Sequence, residues 1–195
     1  SVYEIPLVLH DQELDKKILQ KLNLPVRNPK LAQWKIFLEK VKSKKSKEIE
    51  IAIVGKYFGT GEYQLRDAYA ALFDAINHAA YNLGVKVNTR WVNAEKAEVE
   101  NLEKLIGKPN GIIVPIGWGI RGAEGMIKAA TYARKNKIPY LGLCYGMQLA
   151  VVEFARNVLG FHDANTTENN PKTKHPVIHL IPSQKEFIKR RAYGG

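Results

Sequence analysis

From residue 48 onward, short apolar runs rich in β-branched residues alternate with segments of helical periodicity, and nothing else restricts the fold as strongly. Residues 49–54 form the first such run, closed by Gly55, and residues 67–83 are helical in pattern and stop at Gly84. A second strand follows at 85–92, then a helix at 95–106 ending at Gly107, a strand at 111–114 and a helix at 122–135. A fourth strand at 140–143 runs into a helix at 146–159 with Gly160 as its stop, and 177–180 is one more short strand. Strands separated by helices of roughly 10 to 17 residues predict an α/β fold, a doubly wound and mostly parallel sheet flanked by helices. Short apolar runs bounded by Gly and Pro suit strands buried on both faces.

Residues 1–47 have a different texture and read as an N-terminal linker segment. Residues 2–9 are an apolar extended run, expected to be a strand or a packed strap. Residues 11–22 place Leu14, Ile18, Leu19 and Leu22 at helical spacing. Pro25 and Pro29 interrupt, and 31–41 forms a second amphipathic helix carrying Trp34, Phe37, Leu38 and Val41. That is too little apolar surface for an independent core, so the segment reads as a connector that packs on something else.

Composition excludes several classes. At 45% hydrophobic and 25% charged, the 195 residues are neither disordered nor collagen-like. No apolar run approaches the roughly 18 residues that cross a bilayer. The charges at Glu4, Asp11, Glu13 and Asp15 leave no secretory apolar region, so no membrane partner is expected. A single cysteine, Cys144, excludes a disulfide framework and a Cys-rich zinc site, and suits a reducing, cytoplasmic setting. The first residue is serine, which reads as a fragment or a processed chain. The net charge of +11 raises the question of nucleic acid. The densest basic run, 40–47, holds no aromatic residue on which a base could stack. It reads as a solvated linker, with a surface facing an acidic partner domain as the alternative, and no nucleic-acid partner is expected.

In an open α/β sheet, reactive groups gather beyond the carboxyl ends of the strands. Gly142-Leu143-Cys144-Tyr145-Gly146 lies at such a position, between a predicted strand and a predicted helix. It is the thiol version of a nucleophile elbow, with glycines on both sides permitting the sharp bend and a helix N-terminus favouring a thiolate. The alternative is a buried, inert cysteine. A second turn, Pro115-Ile116-Gly117-Trp118-Gly119, follows the strand at 111–114. It can present amide hydrogens to an oxyanion, or simply reverse the chain.

The stretch Val54-Gly55-Lys56-Tyr57, the turn 115–119 with Arg121-Gly122, and Gly142 to Gln148 with Leu149-Ala150 resemble class I glutamine amidotransferases. More narrowly, Glu153-Phe154-Ala155-Arg156-Asn157-Val158-Leu159-Gly160, Ala164-Asn165-Thr166-Thr167-Glu168 and His175-Pro176-Val177-Ile178 resemble the carboxy-terminal domain of the CTP synthase family. Tyr3-Glu4-Ile5-Pro6-Leu7 and Trp34 resemble the linker after that family's synthetase domain. The resemblance implies that residues 1–47 follow a synthetase domain missing here and that 48–195 are an amidotransferase domain, truncated at its carboxyl end.

It further implies a ligase of pyrimidine biosynthesis. The amidotransferase domain hydrolyses L-glutamine, and the ammonia reaches a synthetase domain in the same polypeptide, where ATP with Mg2+ activates UTP for conversion to CTP. GTP activates the glutaminase half, and the full-length protein forms tetramers. No cofactor or metal belongs to the amidotransferase domain itself. On matching positions Cys144 is the nucleophile that forms a glutamyl thioester. The amides of Ile116, Gly117 and Tyr145 hold the oxyanion. Gly117, Gln148 and Glu168 bind glutamine, with Glu168 on its α-ammonium group. Without the resemblance, Gln148 reads as a surface residue and Glu168 as an exposed or capping carboxylate.

Two departures stand out. The family has two successive glycines after the proline where this chain has Ile116-Gly117, and a β-branched residue resists positive φ, which restricts a peptide flip there. The family's catalytic His-x-Glu also has no counterpart: His10, His78, His162, His175 and His179 are each followed two positions later by another residue type. The base, its carboxylate and a glutamine-binding arginine are expected beyond Gly195, and the polypeptide as it stands is expected to have little glutaminase activity. The alternative is a catalytically silent regulatory or binding domain of the same fold.

Overall fold

A computed structural model describes residues 1–60, 63–64 and 67–181. The chain divides into two compact units, one made of Ser1–Lys47 with Asn77–Lys86, the other of Glu48–Ile76 with the chain from Val87 onward.

The first unit begins with a capping box at Ser1, whose hydroxyl accepts the Tyr3 N–H while Glu4 reaches back to the terminal ammonium. A 3-10 turn, Val2–Glu4, leads directly into α1 (Ile5–Asp11). The strand or strap expected at 2–9 is therefore a helix. Pro6 falls in the first turn, where its missing N–H is not needed and its fixed φ suits the helix, so an apolar run that looks extended is helical. Helices α2 (Leu14–Lys21) and α3 (Ala32–Lys42) follow near their expected positions. Trp34 donates its indole N–H to the Tyr3 carbonyl at 2.8 Å, and the Tyr3 ring packs edge-on against Phe37, His78 and Tyr81. Leu14, Ile18 and Leu22 share a helical stripe as expected, yet all three are exposed.

The second unit is built on a four-stranded sheet. Its strands are β1 (Lys47–Gly55), β4 (Val85–Asn93), β5 (Gly111–Val114) and β6 (Tyr140–Gly142), in the order β4-β1-β5-β6. A small antiparallel pair, β2 (Gly59–Thr60) and β3 (Tyr63–Gln64), lies between β1 and β4 in the chain. Strands β1 and β5 pair in parallel with Ile53 opposite Ile113, and β5 and β6 in parallel with Val114 opposite Gly142. Period-2 geometry explains the continuous apolar runs. Ala52 and Val54 enter one core with Met126, Ala129, Leu149 and Val152, while Ile53 between them enters another with Phe58, Tyr69 and Phe73. Helix α4 (Ala70–Leu83) contributes Phe73 to the second core, and α7 (Ala123–Lys135) and α8 (Tyr145–Asn157) supply the first.

The helix expected at 95–106 is two helices, α5 (Ala94–Val99) and α6 (Leu102–Ile106). Asn101 breaks it: in extended backbone its side chain accepts the Lys104 N–H at 3.2 Å and starts a new helix. Helix α7 passes close to α5 at Gly125, where a Cβ would lie 1.9 Å from the Ala94 carbonyl oxygen. Helix α8 is tied to α7 by a buried carboxylate. Glu153, 3% exposed, accepts Arg134 Nε at 3.1 Å and its terminal nitrogen at 2.7 Å, with Asn157 adding a third donor. Arg156 fastens the chain beyond α8, donating to the Ala164 carbonyl at 2.6 Å and to Glu124 at 2.9 Å.

The short strand expected at 177–180 is β8 (Pro176–Ile178), and it pairs in parallel with β7 (Asn165–Thr166) in a separate two-stranded sheet. The loop between them closes at its neck. The Asp163 carboxylate accepts the Lys174 N–H at 2.9 Å and the His175 ring nitrogen, and the Thr173 hydroxyl donates to the Asp163 carbonyl at 2.7 Å. No helix among the described residues is long and apolar enough to cross a membrane.

Two outcomes test this packing. Gly125→Ala forces α7 away from α5 and lowers stability by about 1–3 kcal/mol, read as a lower urea midpoint; an unchanged midpoint would show that the glycine does not set the spacing. His175 and the Lys174 N–H hold the Asp163 carboxyl below its ordinary value of 3.8. A depressed folded pKa means the stabilisation that the carboxylate lends the neck is fully present above 3.8 and is lost as pH falls through the lower value. Carbon-13 NMR titration should place Asp163 below 3.8 and return it toward 3.8 in His175→Ala.

Candidate active site

Because Val114 and Gly142 are register partners, the turns after β5 and β6 leave the sheet side by side at its carboxyl edge. The Leu143 N–H donates to the Val114 carbonyl at 2.9 Å, and the chain then bends sharply. Cys144 carries the bend with φ 51° and ψ −105°, a backbone conformation that costs an L-residue on the order of 1–3 kcal/mol. Directly after it α8 begins, with Cys144 as its N-cap and the Gln148 N–H on the Cys144 carbonyl at 3.1 Å. The flanking glycines are there because backbone passes over backbone. A Cβ on Gly142 would lie 2.5 Å from the Met147 nitrogen, and one on Gly146 would lie 2.0 Å from the Val114 oxygen.

The bend lifts Cys144 clear of the core. Its side chain is exposed, and among the described residues the thiol has no hydrogen-bond or ion-pair partner. Beside the two turns lies a cavity of about 560 Å³, whose walls include Tyr69, Pro115, Ile116 and Leu143. The residue after the thiol points the other way. Tyr145 is 1% exposed, its hydroxyl lies 2.7 Å from the Gly119 carbonyl and 2.9 Å from Asn169 Oδ1, and burial pushes its phenol up to about 12.

The turn 115–119 is held at successive peptides. Tyr69 donates its hydroxyl to the Ile116 carbonyl at 3.1 Å, and the Trp118 N–H donates to the Tyr57 hydroxyl at 3.2 Å. The Gly119 N–H donates to Glu168 Oε1 at 2.6 Å. Lys56, buried at 3% exposure, donates its ammonium to the Trp118 carbonyl at 2.6 Å and to the Gly119 carbonyl, and lies 4.4 Å from the centre of the Tyr145 ring. Burial pushes the Lys56 ammonium below the usual lysine value, and the charge of Glu168 opposes that shift. Gly117 fits tightly over this pair, since a Cβ would lie 3.3 Å from Lys56 Cδ and 3.4 Å from Tyr145 Cδ1. Ile116 is not among the residues with left-handed φ, so its branched side chain is accommodated without torsional strain. Among the described residues the N–H groups of Ile116, Gly117 and Tyr145 donate to no acceptor.

Contacts thus join the turn bearing Ile116 and Gly117 to Tyr145, next to Cys144, and to Glu168. Gln148 joins them only along its own helix, half-buried one turn beyond Cys144. Lys56, Tyr69 and Asn169 belong to the network although their residue types alone did not mark them. Lys56 and Tyr57 lie in the Val54-Gly55-Lys56-Tyr57 stretch, whose resemblance to the family assigns them no role. The histidines are engaged elsewhere: His10 with Asp15, His78 with Tyr3, His175 with Asp163, and His179 with the Leu180 carbonyl. His162 is exposed.

Residues 64–193 match the family Glutamine amidotransferase class-I. The chain is 48% identical over 190 residues to the CTP synthase of Caldanaerobacter subterraneus subsp. tengcongensis and 50% identical over 190 residues to that of Sulfolobus acidocaldarius. These alignments cover 97% and 96% of the chain but 34% of either relative, so the chain spans about a third of the length of the proteins it matches. Among solved structures, the glutaminase domain of Trypanosoma brucei CTPS with bound acivicin is 37% identical, with a TM-score of 0.63 over 70% of this chain and 52% of that one. A parallel α/β sheet, a strained thiol at its carboxyl edge and matches of this extent agree: the chain belongs to the class I glutamine amidotransferase family.

Proposed function

We propose that this chain is the glutamine-hydrolysing part of a CTP synthase, with Cys144 as the nucleophile. The observation that carries the reading is the exposed Cys144 at φ 51°, between β6 and the N-terminus of a 13-residue helix. In this reading the Cys144 sulfur attacks the side-chain carbonyl carbon of glutamine, and the carbonyl oxygen becomes an oxyanion. The uncommitted amides of Ile116, Gly117 and Tyr145 suit its stabilisation, with the helix N-terminus adding partial positive charge. Collapse breaks the carbon–nitrogen bond, the nitrogen leaves as ammonia after gaining a proton, and a thioester remains for water to hydrolyse to glutamate. Glu168 receives the α-ammonium group, while Gln148 and Gly117 complete the substrate contacts. The ammonia serves an ATP- and Mg2+-dependent synthetase domain of the same polypeptide that converts UTP to CTP. GTP as an activator and a tetrameric full-length protein belong to the same reading. Residues 1–47 would be the connector, and the exposed Leu14, Ile18 and Leu22 suit a segment that packs on a further domain.

The proton steps need a base, and general acid–base groups contribute about 10²–10⁴-fold. The 195 residues hold no His-x-Glu, and four of the five histidines are bound elsewhere. The polypeptide alone should therefore release ammonia from glutamine about a thousandfold more slowly than a full-length enzyme of this family, measured by a coupled ammonia assay; comparable rates would overturn this. A diazoketone analogue of glutamine should label Cys144 stoichiometrically in the full-length protein, and Cys144→Ser should abolish the label. Labelling that is absent, or that survives Cys144→Ser, would leave the silent regulatory domain as the better reading.

A further inference from the structure

We infer that Lys56 is a positioning residue for Glu168, acting through the single peptide group between Trp118 and Gly119. This deepens the reading above, since it takes Glu168 as the group that meets the α-ammonium of the substrate.

The peptide bond is planar and trans, so its C=O and N–H point in opposite directions. At the 118–119 peptide both ends are held by charge. The Lys56 ammonium lies 2.6 Å from the carbonyl oxygen on one side, and Glu168 Oε1 lies 2.6 Å from the N–H on the other. Fixing the carbonyl on the buried cation fixes the direction of the N–H, and with it the place where the carboxylate is received. A cation on the carbonyl also polarises the amide, which strengthens the N–H as a donor to an anion. The second contact, from Lys56 to the Gly119 carbonyl, keeps the following peptide from rotating independently. Gly119 permits this path because it takes φ +72° with open space where a side chain would be.

A buried ammonium needs such a task. Its hydrogen bonds go to carbonyls rather than to a carboxylate, and the carboxylate that most favours its charge is Glu168, across one peptide. Removing the cation would leave the Trp118 carbonyl without its donor, with the Gly119 carbonyl held by the Tyr145 hydroxyl alone, and let the 118–119 peptide turn, so Glu168 would lose its fixed anchor while the thiol and its bend stayed in place.

The test compares Lys56→Met and Lys56→Arg with the native sequence. In the 195-residue chain, Glu168→Gln should shift the Gly119 amide proton resonance, because it removes the anion to which that N–H donates. That response should be lost in Lys56→Met and kept in Lys56→Arg. In the full-length enzyme, Lys56→Met should raise the KM for glutamine about tenfold or more, the scale of one charge-assisted hydrogen bond, with little change in synthesis from free ammonia. Retained ammonia-dependent synthesis shows that the protein is folded; if Lys56→Met loses it, Lys56→Gln takes its place. A Gly119 response and a KM both unchanged without the cation would overturn the inference. A Glu168→Gln variant with native KM would instead overturn the role given to Glu168, while the Gly119 response would still report on Lys56.

Discussion

The close approach of α8 to the end of β5 is the constraint on which the site depends. Gly146 lies so near the Val114 carbonyl that no side chain fits, and the same carbonyl accepts the Leu143 N–H from the other arm of the bend. One oxygen at the end of one strand thus clamps the approach to the elbow and the start of its helix. The register of β5 against β6 places that oxygen, and the register follows from which faces of the strands are buried. The position of the thiol is therefore a consequence of sheet packing and not of local loop preference.

Behind the bend, the site is organised around buried polar groups that satisfy one another. Lys56 supplies a cation, the turn supplies carbonyls, and Tyr145 covers the pair with its ring while its hydroxyl reaches both the turn and Asn169. Such networks are stiff when complete, because each unpaired member would be costly at low dielectric. Glu153 and Arg156 do comparable work at the far end of α8. They lie in the segment that marks the chain most narrowly by resemblance, yet their contacts fasten α8 to α7 and to the chain beyond it.

Legibility followed the range of the interactions. The order of strands and helices could be read because the central strands β1 and β5 are covered on both faces, so 51–54 and 111–114 are unbroken apolar runs, while β4 at the edge alternates with period two. The elbow could be read because two glycines and a cysteine sit within five residues. The helix at residues 5–11 was hidden by Pro6, whose helical meaning depends on its falling in the first turn, and the break at Asn101 was hidden by a capping bond that periodicity does not register. The pairing of residues 165–166 with 176–178 needs a loop neck closed by Asp163. Lys56 was the least visible, since its partner carbonyl at Trp118 is 62 positions away and only folding brings them together.

The torsion at Cys144 has a consequence for how such a chain can change. Glycine would adopt that backbone angle freely, so Cys144→Gly would relieve on the order of 1 kcal/mol or more and leave a sturdier sheet edge. Drift toward robustness and retention of a reactive sulfur pull in opposite directions at this one position. A thiol here is a permanent withdrawal from the folding free energy, and the rest of the domain has to be firm enough to carry it.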